Sequence, residues 1–313
     1  MRGFQTRLAP VGGLQHEFPD VQANNAGRLP RAPTESMHLI SPELLFVISI
    51  VAGFIGAMSG MGGGVVLIPA LTLLGLDIKH AIAISIVSVI ATSSGAASAY
   101  VRDGVTNLKV GMFLEMFTIL GAIVGATVTL ASGDQGLFIA FGVVLLFSAA
   151  TLFLRPHDTG YLHRQDGVSR WLELHGSYYD HAAGETIQYR GRLSYVGGPM
   201  MFGAGFIAGL LGIGAGALKV LILDLAMGLP AKVSTTTSNL IIGVTALAGT
   251  SIYLVAGLID PGIAAPVILG VVAGAFVGTR MLKRLTNTHV RRFFLVVLLI
   301  VGIEMLLRGF KVI

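Results

Sequence analysis

Residues 1–42 are polar and rich in Pro, Gly and Asn; beyond them the chain is a succession of long apolar runs. A bilayer core about 30 Å thick takes about 20 residues of apolar helix. Runs of that length occupy 80–101, 111–131, 136–154, 233–256, 262–282 and 293–308, and each predicts one full span. Two stretches differ. Residues 43–76 and 198–229 are too long for one straight span, and each is interrupted near its middle by glycines. The first break reads Gly60-Met61-Gly62-Gly63-Gly64 and the second Gly212-Ile213-Gly214-Ala215-Gly216. Each predicts two short helices joined by a flexible break.

The breaks expose an internal duplication. Gly53-Phe54-Ile55 matches Gly205-Phe206-Ile207, and Gly60, Gly62 and Gly64 match Gly212, Gly214 and Gly216, all 152 positions apart. One residue is then gained, and Gly75-Leu76, Ser85, Thr92, Tyr100 and Gly121 match Gly228-Leu229, Ser238, Thr245, Tyr253 and Gly274 at 153. Register kept through loops is not a chance property of apolar helices.

Loop charge suggests how the copies are oriented. The loop near 102–110 holds Arg102 and Lys109, whereas 127–135 holds neither Lys nor Arg. In the second copy the pattern reverses: 257–261 is without cations, and 280–292 holds five. Because cytoplasmic loops concentrate Lys and Arg, equivalent loops then face opposite sides, as in inverted repeats. Inversion requires each glycine-broken stretch to enter and leave on one side, as a hairpin with the glycines at its tip. The rival is a parallel arrangement in which each broken stretch crosses once. The favoured expectation is an all-α polytopic membrane protein of two inverted repeats, each a glycine-broken hairpin plus three transmembrane helices. Its boundaries are a disordered tail at 1–42, repeat one at 43–154, a polar loop at 155–197 with room for a small hairpin, and repeat two at 198–313.

Composition agrees. The chain is 54% hydrophobic and 12% charged, whereas soluble domains carry about 25% charged residues. Cysteine is absent, which excludes disulfides, thiolate metal sites and Cys nucleophiles. The net charge of +5 is no nucleic-acid signal, because Arg280, Lys283, Arg284, Arg291 and Arg292 crowd one loop. The tail has no apolar core of the signal-peptide kind, so the first membrane segment is expected to serve as its own insertion signal.

Candidate chemistry starts at the breaks. Unwound backbone survives at membrane depth only inside protein or beside a water cavity. Helix N-termini beyond a break would turn free N–H groups toward that cavity. Gly60, Gly62, Gly63, Gly64, Gly212, Gly214 and Gly216 are therefore candidate substrate-binding positions. Close helix packing is the plain alternative, and occurrence at equivalent positions of a duplication favours a site. No strand precedes either motif, against a dinucleotide fold, and no GxxxxGK[ST] run is present. Hydroxyls can replace water around an oxyanion; Ser85, Ser238 and Asn239 are the candidates among two Ser/Thr clusters. Interhelical hydrogen bonding is the equal alternative.

Charges within spans are functional candidates by default. Lys219 could sense an anion and has Leu67 as its repeat partner. Glu115 could be a proton-coupling carboxylate, but four residues from the expected helix start it reads better as reaching for the interface. Glu304 reads as interfacial. His157, His163, His175 and His181 lack zinc-site spacing and read as a solvated loop.

The run Gly53-Phe54-Ile55-Gly56-Ala57-Met58-Ser59-Gly60-Met61-Gly62-Gly63-Gly64, followed by Leu67-Ile68-Pro69, resembles the TauE/SafE sulfite exporter family. So does Ala208-Gly209-Leu210-Leu211-Gly212-Ile213-Gly214-Ala215-Gly216, and Ala81–Ser85 and Val233–Asn239 echo the stretch that follows each break. The resemblance runs over 43–308. It implies an inner-membrane permease for sulfite, sulfonates or related organic anions. Ala215 and Ala217 depart from the family pattern, which implies two unequal half-sites.

These readings converge on a secondary transporter of small anions, with no cofactor, no metal and no catalytic residue. The expected partners are a small anionic substrate, the lipid bilayer, protons as coupling ion and a second copy of the chain in a homodimer; nucleic acid is not among them. The competing classes are a divalent metal exporter using Met58, Met61 and His80, and a membrane-embedded assembly factor or enzyme.

Overall fold

The computed structural model describes residues 41–59, 63–102, 104–153, 165–180, 184–282 and 287–312. Five helices fall in the first half: α1 (Pro42–Ser59), α2 (Gly64–Leu73), α3 (Ile78–Arg102), α4 (Leu108–Ala131) and α5 (Asp134–Phe153). A short helix α6 (Gly167–Trp171) and a two-stranded hairpin, β1 (His175–Asp180) and β2 (Glu185–Arg190), follow in the central loop. The second half holds α7 (Ser194–Leu211), α8 (Gly216–Leu221) running into a π turn (Ile222–Ala226), α9 (Ala231–Val255), α10 (Pro261–Leu282) and α11 (Asn287–Gly309). The strands are an addition to the all-α expectation and lie outside the apolar runs. Their register is antiparallel, with His175 opposite Arg190 and Asp180 opposite Glu185.

Among the described residues, six helices are long and apolar enough to cross a membrane: Ile78–Arg102, Leu108–Ala131, Asp134–Thr151, Ser194–Leu211, Ala231–Val255 and Pro261–Gly278. Five match expected spans. The sixth is α7, which begins at Ser194 instead of 198 and so gains the length to cross. The expected span 293–308 lies in α11, whose Arg291, Arg292, Glu304 and Arg308 leave too short an uncharged window. Lipid-facing surface is visible as stripes of large apolar side chains. On α4, Met112, Met116 and Leu120 recur every four residues and are all exposed.

Helices from the two halves pack in exchanged pairs. α1 lies along α10 and α4 along α7, while α3 crosses α9 and α5 crosses α11. Apolar lipid gives helices no solvent-driven reason to associate, so close van der Waals packing through small residues does the work. A Cβ on Gly53 would collide with the Val271 carbonyl, and one on Gly205 with the Thr118 carbonyl. Gly274 is pressed against Ile50 and Phe54, and Gly121 against Phe202 and Phe206. Each contact in one half thus has its counterpart in the other. A further pair exchanges sizes: Gly270 takes Phe46, and Gly198 takes Phe117.

The same contacts set direction. Phe46 and Ile50 meet Gly270 and Gly274, so α1 and α10 run parallel. Gly121 and Gly125 meet Phe202 and Phe206, so α4 and α7 do too. Ile86 meets Gly249 and Ser93 meets Gly243, so α3 and α9 are antiparallel. The start of α7 and the end of the π turn are joined, Arg192 N–H donating to the Met227 carbonyl at 3.0 Å. The stretch α7–α8 therefore turns back on itself at its glycines.

Candidate functional site

The second break is built from left-handed backbone. Gly212 (φ 64°), Gly214 (φ 72°) and Ala215 (φ 49°) all have positive φ. Glycine adopts that region freely, but Ala215 sits there with a Cβ, at a cost of about 1–2 kcal/mol. The first break is different where it is described: Gly63, which corresponds to Ala215, is right-handed at φ −67°. Gly60 and Gly62 lie outside the described residues, as does Met61.

The two breaks touch. A Cβ on Gly64 would come 2.7 Å from the Gly212 carbonyl oxygen and 3.3 Å from the Ile213 Cα. The same Cβ would reach the Ser85 Oγ at 2.5 Å. Ser85 is fully buried in α3 and donates across the halves to the Gly212 carbonyl at 3.1 Å. Ser238, its counterpart in α9, donates to the Gly216 carbonyl at 3.4 Å. Unwinding frees carbonyls that have no helical partner, and the Ser85 hydroxyl satisfies that of Gly212, whereas Gly216 already begins α8. The candidates Gly63, Gly64, Ser85, Gly212, Gly214, Gly216 and Ser238 are thus brought to one buried place. Tyr253 and Thr129 close it from below, donating to the Gly209 carbonyl at 2.5 Å and the Leu210 carbonyl at 2.7 Å.

Asn239 is not part of that place. Its amide donates to the Thr235 carbonyl at 3.1 Å. It lines a separate cleft of about 410 Å³ between α3 and α9, with Ser93, Ser94, Ala97 and Gly243.

Lys219 lies one turn beyond Gly216 and is fully buried, its exposure 0%. Its ammonium donates to the Thr245 hydroxyl at 2.9 Å. Thr245 also lies 3.0 Å from a carboxylate oxygen of Glu115 and 3.1 Å from the Thr118 hydroxyl. Glu115 is 9% exposed, so its expected reach to the interface is corrected. The helix starts at Leu108, three residues earlier than the apolar run suggested, which carries Glu115 a turn deeper. Thr245 and Thr118 are partners that sequence reasoning missed. They stand 127 residues apart, and nothing local connects them. Glu304 pairs with Arg308 one turn away at 3.1 Å, near the end of α11.

The polar loop packs against the start of α4. The Asn107 side chain caps α4 by accepting from the Val110 N–H, and its amide donates to the Tyr189 hydroxyl of β2 at 3.0 Å. Asn107 N–H donates to Thr237, next to Ser238, at 3.1 Å. Burial pushes the Tyr189 phenol above its ordinary range, against the pull of the Asn107 hydrogen bond. At the edge, Lys109 pairs with Glu173 at 2.5 Å, which holds that carboxyl below its usual range. His175 lies in β1, whereas His157, His163 and His181 fall outside the described residues. His80 stands 3.4 Å from Asp77, and among the described residues no three His, Asp or Glu side chains converge.

Comparison with known proteins finds relatives whose printed names are those of membrane transporters. The Bacillus subtilis protein named "Probable membrane transporter protein YunE" is 25% identical over 274 residues, covering 85% of this chain and 97% of that protein. A second from B. subtilis, "Probable membrane transporter protein YdhB", is 26% identical over 238 residues, 76% of this chain and 87% of its own. A "Probable membrane transporter protein" of Haemophilus influenzae is 26% identical over 261 residues, 79% of this chain and 88% of its own. No solved structure matches. The pattern of the sulfite exporter TauE/SafE family matches residues 45–305, five-sixths of the chain, and the protein belongs to that family.

Proposed function

We propose that this multi-pass membrane protein is a secondary permease, not an enzyme, that moves small anions such as sulfite, sulfonates or related organic acids across the inner membrane. The observation that carries the reading is the meeting of the two breaks, with Gly64 against Gly212 and Ile213 and a buried hydroxyl beside each. Broken helices that meet at the repeat interface are where secondary transporters hold their substrates. Backbone N–H groups would replace the anion's water, joined by the Ser85 and Ser238 hydroxyls once they turn from the Gly212 and Gly216 carbonyls. The printed names of the relatives are in keeping with transport, and the family's name with sulfite.

The two halves are read as inverted repeats. In support, the parallel and antiparallel pairs bring the ends of the α1–α2 hairpin together with 256–260, and those of α7–α8 together with 104–107. The two hairpins then open to opposite ends. The end with the central loop carries Arg102, Lys109, Arg170, Arg190, Arg192 and Lys232, against Lys79, Arg308 and Lys311 at the other. The cation-rich end is accordingly cytoplasmic.

Labelled sulfite, acetate and sulfate presented to proteoliposomes test the reading. Sulfite should move in preference to acetate. Ser85→Ala should lower transport more than Ser238→Ala, because Ser85, unlike Ser238, bonds across the halves, with both variants still inserted. Unchanged flux in the Ser85→Ala, Ser238→Ala double variant would sink the site.

A further inference from the structure

The hydroxyl of Thr245 has one proton and four polar neighbours. These are the Ile241 carbonyl at 2.5 Å, Lys219 Nζ at 2.9 Å, Glu115 Oε1 at 3.0 Å and Thr118 Oγ1 at 3.1 Å. Lys219 can only donate. Thr118 directs its own proton to the Glu115 backbone carbonyl at 3.0 Å. The Thr245 proton therefore has three acceptors, the Ile241 carbonyl, Glu115 Oε1 and Thr118 Oγ1, and serves one at a time. When it bonds the Ile241 carbonyl, the contact with Glu115 is a hydrogen bond only if the carboxyl supplies the proton. When it turns to Glu115, the carboxylate is ionised and its charge is balanced, through Thr245, by Lys219. Both arrangements fit the same heavy-atom positions.

Charge decides what the cluster can hold. A buried ion that loses its partner is far more costly than a buried pair. With Glu115 ionised, the ammonium of Lys219 is compensated and an entering anion would leave one negative charge in excess. With Glu115 protonated, Lys219 is uncompensated and one monoanion restores neutrality. Other titratable groups on the packed elements stand elsewhere. Lys109 bonds Glu173, Tyr253 bonds Gly209, and Tyr195, Arg102 and Lys232 are exposed. Asp224 belongs to the π turn, at the end where Arg192 bonds the Leu225 carbonyl. Asp134 and Lys79 lie at the opposite end, where Lys79 bonds the Leu130 carbonyl.

From this geometry we infer that Glu115, Thr245 and Lys219 form a proton–anion coupling site, in which Glu115 takes up one proton as Lys219 takes up one monoanion. The step forms one O–H bond on the carboxyl, with the proton drawn from water on the loading side and returned on the other. The site is neutral empty and neutral loaded, so the crossing is electroneutral. This rests on the anion-permease reading above and assigns its coupling ion.

The test uses wild-type protein in proteoliposomes with an internal pH dye, and labelled methanesulfonate and sulfite. A sulfonate is monoanionic at every pH used, so protons that accompany it are carried by the protein. One proton should enter with each sulfonate, and an imposed membrane potential should leave the flux of either anion unchanged. Glu115→Gln should lower the protons carried with each sulfonate, Glu115→Asp should recover part of them, and Lys219→Met should lose sulfonate flux as well. Sulfonate without protons, flux of either anion that follows the potential, or undiminished proton movement in Glu115→Gln overturns the coupling site. Failure of the wild type to exchange either anion instead overturns the permease reading, and the coupling site with it.

Discussion

The two glycine-broken hairpins share a scaffold and differ in what they enclose. Gly53 against Val271 repeats as Gly205 against Thr118, and Gly274 against Ile50 repeats as Gly121 against Phe202. The contents do not repeat. Lys219 in the second half corresponds to Leu67, Glu115 to Ile268 and Thr118 to Val271; only Thr245 keeps its hydroxyl, as Thr92. One corner is a buried network of charge and hydroxyl, and the other is packed hydrocarbon, with Leu67 and Val271 fully buried. Close backbone approach is conserved between the halves while polarity is not. Packing is therefore the common requirement, and charge has been placed on one side only.

The largest effect should come from attacking what is shared. Gly53→Leu and Gly205→Leu each drive a side chain into facing backbone that has no room to yield. Overpacking costs about 1–3 kcal/mol where neighbours can shift, and here they cannot, so neither variant should yield folded protein on size exclusion in detergent. A monodisperse product from one of them alone would show that the two crossings are not equivalent.

The next effect separates the contents. Leu67→Lys places a charge where no carboxylate stands, and should cost about 3–5 kcal/mol. Lys219→Leu should cost a similar amount by orphaning Glu115. Adding Glu115→Gln to Lys219→Leu should restore most of the lost thermal stability, because the second corner then resembles the first. A double variant no more stable than Lys219→Leu would mean that Glu115 does not answer to Lys219.

Much of this scaffold is legible in the chain. Apolar length gives the spans, glycine clusters give the breaks, and repeated spacing gives the correspondence between halves. Those signals work because bilayer thickness and helical rise are fixed. The network at Lys219 is legible only in part. Lys219 stands out as a cation in an apolar run, but its partners lie on α4 and α9, and their approach depends on which helices pair. Glu115 is misplaced by an apolar count that starts at Gly111, because Leu108 and Lys109 already belong to the helix, capped by Asn107. Asn239 stands apart from the breaks for a rotational reason. It follows Ser238 by one residue, about 100° around the helix, and so turns to the α3–α9 cleft.

The smallest effect concerns how the equivalent helices after the breaks begin. α3 and α9 open alike, with Ala81 N–H bonded to the Asp77 carbonyl at 2.9 Å and Ser234 N–H to the Pro230 carbonyl at 2.9 Å. Asp77 adds a side-chain cap, accepting from Lys79 N–H at 3.0 Å, and Pro230 has none to offer. The hydrogen bond with His80 holds the Asp77 carboxyl below its usual range, aided by the bond from Lys79. A lowered carboxyl pKa means that ionised Asp77 stabilises the fold above the ordinary carboxylate range, and that this contribution is lost as pH falls through the folded value. Asp77→Ala should therefore lower stability by about 1 kcal/mol at neutral pH, and the gap from wild type should close in acid. Asp77→Asn keeps an acceptor without the charge, so it should recover most of the cap and show no such pH dependence. Pro230→Ala, with no side-chain bond to lose, should change less. A gap for Asp77→Ala that is the same in acid as at neutral pH would assign the loss to packing, and the two helix starts would then differ only in shape.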